Sequence, residues 1–340
     1  MDNISPVTAH TSRKQGKMLV LQYDTLDRQV HIDEVCIPRL SNTEVLVRVK
    51  FTTLFHSDCL AFHLKSHVDK ALTFPITIGH EATGVVEEVG NTVTSFHTGD
   101  NVGFHASSGC FAYKKWKAGP NIVRPEGLKG QGSQSYGCIS EYAAVDIRRL
   151  VKLPTDTNFL TASRVFCAGV KAYNAIMQCD VVAGVWVALI GAGGLGQMTI
   201  RYAKAMGLKV FVVDTNSRKL DQAKRLGAEY TINPNQFSNY ANDIKKAYND
   251  MPLMLRRGGI RMLVGMINEP LKFDCSDLIS GQYIIKGLCA GTTEDVQDCL
   301  RFSAKYEIEP VTQLRTMKEI ADTFDMMEAG EFLDPITVQL

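Results

Sequence analysis

Six apolar residues, Val185-Trp186-Val187-Ala188-Leu189-Ile190, run straight into Gly191-Ala192-Gly193-Gly194-Leu195-Gly196. The run is short and β-rich, which predicts a strand buried on both faces, as in the middle of a parallel sheet. A helical stretch from Gln197 to Met206 follows, then a second short strand, Lys209 to Val213, that ends at Asp214. A GxGxxG spacing is weak by itself; a strand before it, a helix after it and an acid ending the next strand supply the context that gives it meaning. That context predicts a dinucleotide-binding fold. Gly191 permits the tight turn, Gly193 lets the backbone approach a pyrophosphate at the helix N-terminus, and Gly196 lets the helix pack closely on the sheet. Gly194 and Leu195 complete the loop. Asp214 is placed to accept hydrogen bonds from the adenosine ribose hydroxyls and would repel a 2′-phosphate, so NAD(H) is favoured over NADP(H).

At 340 residues the chain has length for two domains, each with its own core. A net charge of +1 predicts neither a nucleic acid nor an anionic membrane partner. No apolar run approaches the length of a membrane span. Met1 to Lys17 is polar, with no apolar h-region, and reads as a disordered tail and not a signal peptide. Nine cysteines lie scattered without framework spacing, which suits free thiols in a reducing compartment and predicts a cytoplasmic protein.

From Met18 to about Leu153 short strands alternate with Gly, Pro and Asp turns; Glu44 to Val49 and Gly84 to Val89 both alternate in polarity. From Ala162 onward helices alternate with strands, with strands predicted at 185–190, 209–213, 229–232, 261–264 and 283–287, and a last one at Ile336-Thr337-Val338. Three separated motifs stand beside the glycine loop. They are Phe55-His56-Ser57-Asp58, then Gly79-His80-Glu81-Ala82-Thr83-Gly84 leading to Gly99-Asp100, and Phe166-Cys167-Ala168-Gly169. Together they make the chain resemble the medium-chain, zinc-type alcohol dehydrogenase family from about Met18 to Val338, as a diverged member. The resemblance implies a tail over 1–17 and a GroES-like β domain over 18–160. A doubly wound parallel Rossmann sheet would span 161–305, and a return segment of the first domain 306–340. The active site would lie in the cleft between the two domains, and the protein would be a homo-oligomer acting on a small-molecule substrate.

The resemblance also assigns roles. In zinc-dependent members a cysteine, the His of the GHE motif and a distal cysteine hold the metal, with the following Glu as an alternate ligand. By position these are Phe55, His80, Cys167 and Glu81. Phe55 cannot ligate anything, so zinc is left open, with His80, Glu81 and Cys167 as a conceivable substitute set. Asp58 matches the carboxylate that orients the ligating His. Ser57 matches the hydroxyl that passes on the substrate proton, and His56 a residue near the cofactor pyrophosphate. Lys219 matches the basic residue beside the ribose-binding acid. Lys171 stands where the family has a Thr at the nicotinamide, and its charge is suited to polarising a carbonyl. The structural zinc lobe retains one of four cysteines, Cys110, the others falling on Tyr113, Trp116 and about Arg124, so that site is lost. The family's pyrophosphate-binding Gly-Arg falls on Asp334-Pro335.

One stretch departs most. After Ile244 to Asp250 the family has a fourth Rossmann strand and most of a helix, whereas here Met251 to Gly259 follows at once. Roughly twenty residues, about one strand and a turn or two of helix, are missing. The absent strand would lie beside the first, at the topological switch point, and would leave backbone unpaired unless the next strand moves over. Three functions remain open on this reading. The first is an NAD(H)-dependent oxidoreductase moving hydride to or from a small or specialised alcohol or carbonyl compound. The second is a zinc-independent carbonyl or enoyl reductase of the same fold, and the third a catalytically silent remnant that acts as a binding protein.

Overall fold

The computed structural model describes residues 16–24, 29–55, 58, 75–105, 132, 135–236, 254–265, 271–288, 291–321, 324, 326 and 332–340. The first part of the chain forms β1 (Lys17–Asp24), β2 (Gln29–Cys36), β3 (Glu44–Leu54), β4 (Ile76–Thr77), β5 (Glu81–Val89), β6 (Asn101–His105), β7 (Tyr142–Asp146) and β8 (Leu150–Lys152). The alternation in β3 turns Val45, Val47 and Val49 onto a core shared with Ala82, Val86, Val102 and Phe104. β3, β5, β6 and β8 lie side by side, with β7 also on β3. The far side of β3 takes two strands from the end of the chain, β15 (Ile336–Gln339) directly and β14 (Gln313–Thr316) beyond it.

The helices α1 (Phe159–Ser163) and α2 (Val170–Met177) flank a π-helical turn, Val165–Gly169, and lead into the second half. There β9 (Trp186–Ile190), α3 (Gly194–Ala205), β10 (Lys209–Val213), α4 (Ser217–Arg225) and β11 (Tyr230–Ile232) build a parallel sheet in the order β11-β10-β9. β12 (Gly259–Leu263), α5 (Cys275–Ile279) and β13 (Tyr283–Gly287) form a separate parallel pair, followed by α6 (Thr293–Lys305) and α7 (Met317–Ala321). The predicted strands at 209–213 and 283–287 coincide with the observed ones. The helix expected from Gln197 starts three residues earlier, because Gly193 caps it and Gln197 N–H makes the first bond back to Gly193.

One expectation changes. The strand at 185–190 begins at Trp186 and is not buried on both faces: Trp186 and Ala188 are exposed, and Val187, Leu189 and Ile190 are half-buried. Of the two outcomes left open for the next strand, the described residues show it staying apart: β12 pairs with β13 and not with β9. Among the described residues β9 has a neighbour on one edge only, and a groove of 1110 Å³ runs between it and β12, lined by Trp186, Ala188, Ile260 and Met262 and reaching the glycine loop. The stretch 237–253, where the missing strand was expected, and the lobe of Cys110, Tyr113, Trp116 and Arg124 lie outside the described residues. Among those described, no helix is long and apolar enough to cross a membrane.

Candidate active site

Cys167 sits in the π-helical turn, a one-turn irregularity that tends to occur where side chains are aimed at a site. His80 immediately precedes β5. Its Nε2 lies 3.2 Å from Cys167 Sγ and its Nδ1 2.6 Å from Asp58 Oδ1. Asp58 is itself fixed, because its Oδ2 accepts the Phe55 N–H at 2.9 Å. Phe55, Asp58, His80 and Cys167 therefore come together as the motifs imply.

Burial works on all three titrating groups here, and the neighbours decide the outcome. For His80 burial would lower the pKa; the Asp58 carboxylate and then Cys167 outweigh it and hold the imidazole well above its usual range. For Cys167 burial would raise it; the Lys171 ammonium and then His80 bring the thiol down to about 7. Lys171 is on the first turn of α2, one turn beyond Cys167, and acts on this centre through its charge. Glu81 is fully buried, and desolvation, then the Cys167 charge, push its carboxyl well up.

Zinc needs a third donor. Among the described residues no group of three His, Cys, Asp or Glu is placed to hold a metal ion. Of the set His80, Glu81 and Cys167, His80 Nε2 and Cys167 Sγ lie 3.2 Å apart. Glu81, the residue after His80, is buried at the same centre, where the Cys167 charge, then His80 and then Arg164 act on its carboxyl. The third position is filled by the Phe55 ring, 5.5 Å from the His80 ring and packed against the core of the second half. The described residues do not fit a catalytic zinc. His56 and Ser57 lie outside the described residues.

The glycine loop fits a dinucleotide. Gly191 has φ +99°, which only glycine adopts without strain, and nothing lies within 4 Å of where a Cβ would stand on Gly191 or Gly193. A Cβ on Gly196 would run into the Gly191 carbonyl, so the helix could not start so close to β9 with any other residue. The N–H groups of Gly194, Leu195 and Gly196 precede the first intrahelical bond and have no acceptor within the helix. Asp214 follows β10 directly, its Oδ2 accepting Ala192 N–H at 2.7 Å and its Oδ1 accepting Asn216 N–H at 2.8 Å. Each oxygen keeps a lone pair for a ribose hydroxyl. Lys219 is on the first turn of α4, its N–H capped by Asn216.

Arg164, immediately before the π-helical turn, escaped the sequence reading. It is 1 % exposed, and burial pulls its guanidinium down to about 10 against the attraction of Glu81 and Asp334. A lone arginine inside the apolar stretch Leu160 to Val170 was the available signal.

Residues 41–155 match the alcohol dehydrogenase GroES-like domain, and residues 194–305 match the zinc-binding dehydrogenase family. An alcohol dehydrogenase of Geobacillus stearothermophilus is 33 % identical over 320 residues, covering 89 % of this chain and 94 % of that protein. Among solved structures, the alcohol dehydrogenase of Aeropyrum pernix superimposes with a TM-score of 0.81 at 23 % identity, covering 95 % of this chain and 100 % of the other. Acetophenone reductase of Geotrichum candidum, solved with NAD, gives 0.83 at 19 % identity over 97 % and 99 %. CAD of Helicobacter pylori, solved with NADP(H), gives 0.82 at 22 % over 96 % and 99 %. With a matching sequence relative along nine-tenths of its length and the GroES-like and Rossmann halves both in place, the chain belongs to the medium-chain, zinc-type alcohol dehydrogenase family and is an alcohol dehydrogenase-like oxidoreductase.

Proposed function

We propose that this protein is an NAD(H)-dependent oxidoreductase whose substrate is a small or specialised alcohol or carbonyl compound. The observation that carries the choice of cofactor is Asp214, a carboxylate pinned by Ala192 and Asn216 N–H groups at the mouth of the glycine loop. A fixed negative charge there accepts the ribose hydroxyls and opposes a 2′-phosphate. When bound, NAD(H) supplies or takes up the hydride. The chain's own residues orient and polarise. Lys171 brings positive charge to the centre that holds His80 and Cys167, suited to stabilising negative charge that develops on a substrate oxygen. Ser57 and His56 are proposed, on the family resemblance, to carry the proton.

Phe55 favours a second reading within the same chemistry, a zinc-independent carbonyl or enoyl reductase, because it replaces a metal ligand with an apolar wall. The test is a fluorescence titration of the purified chain with NADH and with NADPH, on a sample whose zinc is measured by elemental analysis. Saturable micromolar NADH binding, at least about tenfold tighter than NADPH, is expected, the ratio that one fixed charge near a phosphate supports. Equal affinity for both would remove Asp214 as the discriminating residue. Failure to bind either in a cooperatively folded sample would leave the binding-protein alternative.

A further inference from the structure

The return segment brings a proline, Pro335, to the place where the family resemblance led to an arginine, and the start of α3 has no acidic side chain to satisfy it. Built on Gly194, the first residue of α3, a Cβ would stand 2.6 Å from Pro335 Cγ and 3.6 Å from Arg164 Nη2. Arg164 therefore reaches the first residue of α3. It is 1 % exposed, and its Nη1 donates to the Val311 carbonyl. Its Nε and Nη2 are buried without a hydrogen-bond partner among the described residues. Leaving two guanidinium donors unused in a dry place is costly, and such groups ordinarily find an acceptor. At the same helix start the N–H groups of Gly194, Leu195 and Gly196 also lack an acceptor within the helix. Buried guanidinium and open helix end ask for the same thing, a compact anion with several oxygens.

We infer that Arg164 is the cation that binds the dinucleotide's pyrophosphate, taking over from the α1 side the role that Pro335 cannot fill. This rests on the cofactor reading above. The guanidinium fork is suited to two phosphate oxygens at once, and Val311 fixes its third nitrogen so that little side-chain freedom is lost on binding. Gln197 ties α3 to the return segment through the Leu333 carbonyl at 3.0 Å, which holds Pro335 against the loop. The proline then acts as a wall that keeps Arg164 aimed at Gly194.

The experiment measures binding of NADH, ADP-ribose and adenosine by calorimetry to the wild type, Arg164→Met and Arg164→Lys, each checked for a cooperative thermal transition. Loss of a charge-assisted fork is expected to weaken NADH and ADP-ribose about 10- to 100-fold in the methionine variant and to leave adenosine within about twofold. The lysine variant, with a point charge and no fork, is expected to lose about tenfold for ADP-ribose. Unchanged ADP-ribose affinity in Arg164→Met overturns the inference. Should that variant fail to fold, Arg164→Lys decides alone, and an unchanged affinity there overturns it. A wild type that binds adenosine as tightly as ADP-ribose overturns it while leaving the adenosine pocket standing. A folded wild type that binds none of the three overturns the cofactor reading itself, and the inference with it.

Discussion

The Phe55 ring packs beside the His80 imidazole and against the core that contains Val165 and Ala168, so carbon fills the volume a third metal ligand would need. His80 and Cys167 keep the spacing of a two-donor remnant, with Asp58 still orienting the imidazole. Replacing Phe55 by cysteine should return the third donor. Elemental analysis of F55C is expected to find close to one zinc per chain, against a fraction of that in the wild type, at a cost of about 2 kcal/mol from aromatic packing lost at a half-buried position. Stoichiometric zinc in the wild type would mean that a donor outside the described residues completes the set. The residue scale was unevenly legible. Asp214 could be found because it lies next to its strand in the sequence and its partner loop is one helix away. Arg164 could not, because what it meets, Gly194 and Pro335, comes from distant parts of the chain.

Among the elements, β9 shows how far a local pattern reaches. Its apolar, β-rich composition announced a strand, and a strand it is; its burial depended on neighbours that the pattern does not describe. In a parallel pair alternate residues direct their backbone groups to one neighbour. Lys209 N–H bonds to the Val185 carbonyl and Gly191 N–H to that of Val213, so the odd-numbered residues of β9 serve β10. Trp186, Ala188 and Ile190 direct theirs toward the groove. Hydrogen exchange resolved to single amides should therefore alternate along β9. Ala188 and Ile190 are expected to exchange at least about tenfold faster than Val187 and Leu189, since only the latter need the sheet to open. Equal protection along the strand would show that another strand fills the groove in solution.

At the scale of the whole molecule, the end of the chain completes its beginning. β15 pairs antiparallel with β3, with Ile336↔Leu54 and Val338↔Thr52 in register, and Ile336, Thr337 and Val338 are all buried. Ile336 and Val338 share a core with Leu21, Leu54 and Ile78. Burying two such side chains contributes about 3–6 kcal/mol, a large part of the stability of an ordinary domain. A chain ending before residue 332 should lose its cooperative thermal transition and become protease-sensitive in the first 150 or so residues, where β3 would be left with an open edge. A truncated chain melting as the full one does would show that the first half folds without its last strand. The same return segment carries Leu333 and Pro335 to the glycine loop, so the deletion should also abolish NADH binding.

The sequence by itself determined the order of strands and helices, the glycine loop with its acid, and the motifs of the metal centre together with its missing ligand. All of these are set by side-chain periodicity, by backbone freedom at glycine or by residue type, and such properties are carried locally along the chain. Only the tertiary structure decided that the Phe55 ring stands beside that of His80, that β12 pairs with β13 and not with β9, and that Arg164 stands at the helix end beside Pro335. Those outcomes depend on which surfaces meet across the fold, and contact between remote segments is fixed by packing and by the need to satisfy buried polar groups, neither of which any single stretch of sequence contains.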